Sequence, residues 1–164
     1  MVYTKFTAFC YGPTMRLLLS IIFAVLFGSS AFAADLTVSV RDSAGRPVRD
    51  AVVTVVPASG VPRGPIRFNW PLRVVQQDIQ FDPFVLIVPV GATVSFPNLD
   101  RVRHHVYSFS PAKRFDIKLY AGTPAEPIVF DKPGVAPLGC NIHDRMSAHI
   151  VVVDTPLFAR TDAR

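Results

Sequence analysis

In the stretch Arg114-Phe115-Asp116-Ile117-Lys118-Leu119-Tyr120, the apolar Phe115, Ile117 and Leu119 alternate with the charged Arg114, Asp116 and Lys118. A period of two belongs to a strand with one wet face and one buried face. Working outward, comparable strand signals occupy residues 74–79, 84–90, 92–96, 105–109, 126–130 and 147–153, with earlier ones at 36–40 and 51–56. Turn-forming groups separate them: Val90-Gly91, residues 98–103, Gly122-Thr123-Pro124 and Lys132-Pro133-Gly134. Seven to nine short strands, with no amphipathic helix and no internal repeat, predict an all-β Greek-key sandwich or barrel.

The chain has 164 residues, half of them hydrophobic and 18% charged, with fifteen prolines and nine glycines. That balance suits one globular domain and excludes a disordered chain or a helical bundle. Residues 1–33 read as a secretory signal peptide. Arg16 is followed by an apolar run from Leu17 to Phe27, and Ala31-Phe32-Ala33 forms an A-x-A cleavage site. Removing them takes away Lys5 and Arg16, so positions 34–164 keep fifteen basic and twelve acidic side chains and a net charge of +3. Such scattered, mild basicity speaks against nucleic-acid binding. The expected layout is a signal peptide at 1–33, N-terminal strands with a proline-rich loop at 34–73, a core at 74–154 and a C-terminal tail at 155–164. In the loop, residues 57–71 carry four prolines, and Trp70 is expected to tuck its end onto the core.

Cleavage leaves one cysteine and one methionine, and both fall in Gly139-Cys140-Asn141-Ile142-His143-Asp144-Arg145-Met146. A single Cys in an exported chain has no internal disulfide partner, so Cys140 is a free thiol, an intermolecular link or a metal ligand. The C-x2-H-x2-M spacing offers thiolate, imidazole and thioether, the donors preferred by a soft, redox-active copper ion. A second imidazole is available upstream, where residues 98–103 lead into His104-His105-Val106. If His104 points inward with Val106 and Ser108, alternation sends His105 outward with Tyr107 and Phe109.

These residues resemble the cupredoxin family, the small blue copper proteins that include plastocyanin and amicyanin. The resemblance lies in the C-x2-H-x2-M loop, in the Asn-x5-His-x-Val pattern from Asn98 to Val106, and in Gly134 six residues before Cys140. Residues 96–146 also resemble bacterial proteins labelled methylamine utilization or plastocyanin-like. The resemblance implies one type 1 copper ion held by His104, Cys140, His143 and Met146. It further implies an electron carrier rather than an enzyme, while the signal peptide and its short apolar run lead us to expect a periplasmic chain with no membrane anchor after cleavage, in a monomeric state. The implied partners are redox proteins such as a c-type cytochrome, a dehydrogenase or an oxidase. Two departures stand out: His105 replaces the asparagine usual after the upstream ligand, and Pro137-Leu138-Gly139 replaces the aromatic residues usual before the cysteine.

Other readings of the same residues are a copper-delivery protein without electron-transfer duty and a metal-free β-sandwich interaction module. A Cys-His nucleophilic pair lacks an orienting group and an oxyanion site. Structural zinc seldom takes a thioether. His149 is expected to be structural or surface-exposed, Asp100, Asp144 and Arg145 to be solvated loop charges, and Phe96, Phe109, Phe115 and Phe130 to be core.

Overall fold

The computed structural model describes residues 35–62, 64–124 and 126–162. The chain divides at Thr37–Val38, and the unit that follows, Val38–Arg164, is compact. Residues 1–33, read as a signal peptide, lie outside the described residues. Among the described residues, no helix is long and apolar enough to cross a membrane.

The second unit is all-β. In chain order its strands are β1 (Val52–Thr54), β2 (Val75–Gln77), β3 (Gln80–Asp82), β4 (Val85–Pro89), β5 (Ala92–Val94), β6 (His104–Phe109), β7 (Arg114–Tyr120), β8 (Ile128–Phe130), β9 (Gly134–Gly139), β10 (Ser147–Val153) and β11 (Phe158–Arg160). One layer is a five-stranded sheet in the order β4-β10-β9-β6-β7, with β4 parallel to β10 and the remaining neighbours antiparallel. The facing layer is built from the pairs β2-β3 and β5-β8. Isolated bridges join them at Arg73–Ser95 and Gln76–Asn98. Between the layers lies the main core, which includes Val74, Val94, Phe96, Val106, Phe130, Leu138, Met146 and Ile150.

The continuous apolar run of β4 has a physical reason, because its strand is covered on both faces. Leu86 and Val88 enter the main core, whereas Val85 and Ile87 join Val153 in a second cluster closed by Val52, Phe68 and Phe158. Trp70 finishes that cover: its indole N–H donates to the Ile87 carbonyl at 3.0 Å, and its ring meets Phe68 edge-on. The stretch expected as a C-terminal tail carries β11, which pairs with β1 and supplies Phe158 to this cluster.

Several expected strands change length. The one at 74–79 stops at Gln77, where Asp78 and Ile79 adopt left-handed backbone angles and turn the chain into β3. At 36–40 no strand forms among the described residues, and the nearest pairing is a bridge between Arg41 and Pro47. β7 does not alternate to its end. His104 pairs with Tyr120 but Val106 with Ile117, so an extra residue on β7 forms a bulge. The bulge turns Leu119 out to 48% exposure and brings Tyr120 against the core. Phe109 is not core. It lies on the outer face of β6 at 62% exposure, as the inward alternation of His104, Val106 and Ser108 requires.

Candidate metal centre

Sheet order brings the candidate ligands to one end of the sandwich. β6 and β9 run antiparallel with Tyr107 opposite Gly139, so the start of β6 lies beside the end of β9. His104 opens β6, Cys140 follows β9, and the loop from Cys140 to Met146 leads into β10. That loop is two consecutive turns, with the His143 N–H reaching the Cys140 carbonyl at 3.4 Å and the Met146 N–H reaching the His143 carbonyl at 2.9 Å. Each turn advances three residues and returns the chain towards the same side, which is the physical meaning of the x2 spacing.

His104 Nδ1 and His143 Nδ1 are 3.2 Å apart, and Cys140 Sγ lies 3.8 Å from the first and 3.6 Å from the second. A metal ion bonded at about 2.0 Å to each nitrogen and about 2.3 Å to sulfur, with 120° between bonds, would hold its donors about 3.5 Å (N to N) and about 3.7 Å (N to S) apart. The observed triangle fits that size. With a metal bound, the three atoms would turn their lone pairs to it, and thiolate with two imidazoles is a donor set that suits copper. Among the described residues this is the cluster of His, Cys, Asp and Glu donors able to hold an ion.

His104 and Cys140 are buried, whereas His143 is partly exposed. Met146 is buried in the same core cluster as Cys140. His105 faces the other side of β6, where it contacts Asp116 and, at 5.8 Å between ring centres, Tyr107. His149 lies in β10 with its ring edge-on to Phe84 at 5.3 Å, outside the donor triangle.

Asp100 departs from its expected role as a solvated charge. Its Oδ2 lies 2.8 Å from His104 Nε2. An ionised carboxylate can only accept, so His104 carries its proton on Nε2 and presents the Nδ1 lone pair to the triangle. Burial acts to raise the Asp100 pKa. The His104 hydrogen bond and the N–H groups of Ile79 and Asp78 outweigh it and hold the carboxyl below its ordinary 3.8. Asn98 braces the same loop. Its amide donates to the carbonyls of Val102 (2.9 Å) and Tyr120 (3.1 Å), and its Oδ1 accepts from the Asp100 N–H at 2.9 Å. Tyr120, the strand partner of His104, shares its one hydroxyl proton between Gln76 Oε1 and the Phe96 carbonyl. Burial pushes its phenol pKa up, with the Cys140 charge adding to the shift and the Gln76 bond opposing it. The sequence signal for Asp100 is its position four residues before His104, within reach of the imidazole in a tight loop.

Fold and donors together define an all-β, cupredoxin-like sandwich with a His-Cys-His cluster at one end. No protein-family model matches the chain, and no curated protein does. Among solved structures, it is similar to a mutant of amicyanin in its reduced Cu(I) form, at 18% identity over 61% of this chain and 98% of that one, with a TM-score of 0.46. It is similar to a purple cupredoxin from Nitrosopumilus maritimus at 22% identity over 49% of this chain and 98% of that one, with a TM-score of 0.43. It is also similar to a copper-containing nitrite reductase from Thermus scotoductus at 26% identity, TM-score 0.47, where 62% of this chain spans 25% of the enzyme.

Proposed function

We propose that this chain is a one-electron carrier for a single type 1 copper ion, which His104, Cys140 and His143 would hold with Met146 as a weak thioether donor. The observation that carries the reading is the Nδ1, Nδ1, Sγ triangle, sized for a trigonal ion and fixed on one side by Asp100. Bound copper supplies one-electron redox chemistry and an intense thiolate charge-transfer absorption.

The chain's own residues do the rest. Cys140 is 2% exposed, so its sulfur is shielded from water and from oxidants. His104 is oriented through Nε2, and the strand ends that carry it and Cys140 belong to one hydrogen-bonded sheet. A donor set prebuilt in this way moves little when the charge at its centre changes. His143 is the least buried member of the triangle, so its ring edge is the shortest way out to a docked partner. On this reading the partners are redox proteins such as a c-type cytochrome, a dehydrogenase or an oxidase. Residues 1–33 direct export to the periplasm, and the chain acts as a carrier rather than an enzyme.

The test is the visible absorption and electron paramagnetic resonance spectrum of the purified protein with one equivalent of Cu(II). An intense blue band with a narrow parallel hyperfine splitting is the expected result. A pale, ordinary Cu(II) spectrum or an absence of binding would overturn the reading.

A further inference from the structure

We propose that the β2-β3 turn is a working part of the metal centre, with Asp78 and Ile79 acting through Asp100 as positioning residues for His104. This rests on the copper reading and extends it to a hairpin that contributes no ligand.

The turn is a two-residue connection between Gln77 and Gln80, with φ of 56° at Asp78 and 58° at Ile79. Two left-handed residues in succession make a type I′ turn. That geometry points two adjacent N–H groups to one side, and here both meet the same carboxylate. Asp78 N–H reaches Asp100 Oδ1 at 2.8 Å, and Ile79 N–H reaches Oδ2 at 3.1 Å. Oδ2 is also the atom 2.8 Å from His104 Nε2. A continuous chain of hydrogen bonds therefore runs from the hairpin tip to a donor of the triangle.

Local preference does not account for this turn. A β-branched residue at positive φ is disfavoured. The Ile79 side chain is 48% exposed, so little of it is held by packing. The conformation is maintained by contacts from elsewhere, and the carboxylate of Asp100 is the group both N–H donors touch. Such coupling is reciprocal: if Asp100 holds the turn, the turn holds Asp100. The hairpin is anchored in turn beside the ligand loop, because Gln76 N–H donates to the Pro97 carbonyl and Leu99 N–H to the Gln76 carbonyl. A fixed, ionised Asp100 keeps the proton of His104 on Nε2 and places negative charge near the metal, which favours the more highly charged Cu(II).

Two variants separate this role from a merely structural one. Inserting one glycine between Ile79 and Gln80 lengthens the turn without changing the Asp100 side chain itself. Asp78→Asn with Ile79→Gly keeps the type I′ turn and both N–H donors in a sequence that prefers it. In the metal-free full chain, the His104 Nε2–H should give a slowly exchanging proton resonance. That resonance should be lost in the insertion variant and in Asp100→Ala and retained in the Asp78→Asn, Ile79→Gly double variant. Asp100→Ala should also release the Asp78 and Ile79 amide protons to exchange.

With copper bound, the insertion and Asp100→Ala should weaken Cu(II) affinity by about 10–100-fold. Each tenfold loss confined to Cu(II) appears as a rise of about 59 mV in potential. The two changes combined should give no more than either alone, because they break one chain of contacts. An unchanged His104 proton and potential in the insertion variant would overturn the proposal. A missing blue band would instead overturn the copper reading, and the imidazole proton of the metal-free protein would still decide whether the turn holds Asp100.

Discussion

The ring of Tyr107 fills the space where a side chain at Gly139 would stand. A Cβ built on Gly139 would come within 2.7 Å of both Cζ and Oη of Tyr107. An aromatic ring covering a cross-strand glycine protects the sheet at a position with no side chain of its own. Here the position is next to Cys140, so the fit of one ring helps set where the thiol lies. Tyr107 is itself held in a row with His105 and Phe109 along the outer face of β6.

Gly139→Ala should therefore destabilise the protein by about 2 kcal/mol, the ordinary cost of forcing extra volume into a packed site. Urea unfolding of the metal-free protein measures it. The loss should shrink when Tyr107→Ala is combined with it, because the ring that blocks the new methyl group is then gone. Equal losses with and without Tyr107 would show that backbone conformation, not the ring, makes glycine necessary.

Where local pattern and tertiary role agree, the fold is legible from residue type and spacing. The apolar runs of β4 and β10, the alternation through β6, and the grouping of His104, Cys140 and His143 are of this kind. β9 is hidden because it contains Gly134, Pro137 and Gly139, all poor strand formers. It survives as a strand because it pairs along its length with β10 and meets β6 at Gly139. β3 and β11 are three residues each, too short to show a period. The spacing of Asp100 from His104 is too weak a signal to distinguish a partner from a solvated loop charge, because its role depends on a turn at Asp78 and Ile79 formed against their own preferences. Phe109 reads as core only when aromatic character is given more weight than the alternation its neighbours impose.

Asn98→Ala leaves the carbonyls of Val102 and Tyr120 and the N–H of Asp100 without their partner. The expected cost is about 1–2 kcal/mol, because these partly buried groups lose a partner that water replaces only in part. The effect should extend beyond stability. Freed at Asp100 and Val102, residues 98–103 should show faster amide exchange, and metal affinity should fall with them. Slow exchange preserved across this loop would mean that the backbone pairing of Gln76 with Asn98 and Leu99 holds it without the amide.

Asp42 provides a pH-dependent contribution away from the centre. The Arg46 N–H and then its guanidinium hold the carboxyl below the ordinary 3.8, against the opposing effect of burial, and the Ala44 N–H adds to them. A lowered folded pKa means that the contribution is complete above the unfolded value and is lost as pH falls through the folded one. Carboxyl carbon resonances should show Asp42 titrating below 3.8, with the 42–46 turn opening as it protonates. Asp42→Asn should remove this dependence while leaving the neutral-pH spectrum of the sheet unchanged. A midpoint at or above the ordinary value would show that the turn does not favour the ionised form.

Metal addition offers the last test, because it separates the thiolate from the thioether. Copper that binds only the folded chain raises stability by about 2.7 kcal/mol at a concentration one hundred times its Kd. Cys140→Ser should lose both that gain and the blue band, since a hydroxyl stays protonated where a thiol ionises on the metal. Met146 is only 2% exposed. Met146→Leu is nearly volume-conserving, so the metal-free protein should change by less than about 1.5 kcal/mol. Its copper form should keep the thiolate band. If Met146 supplies a weak thioether donor, its removal would cost Cu(II) more than Cu(I), and the potential should rise. An unchanged potential in Met146→Leu would place Met146 in the core alone, whereas full colour in Cys140→Ser would remove Cys140 from the centre altogether.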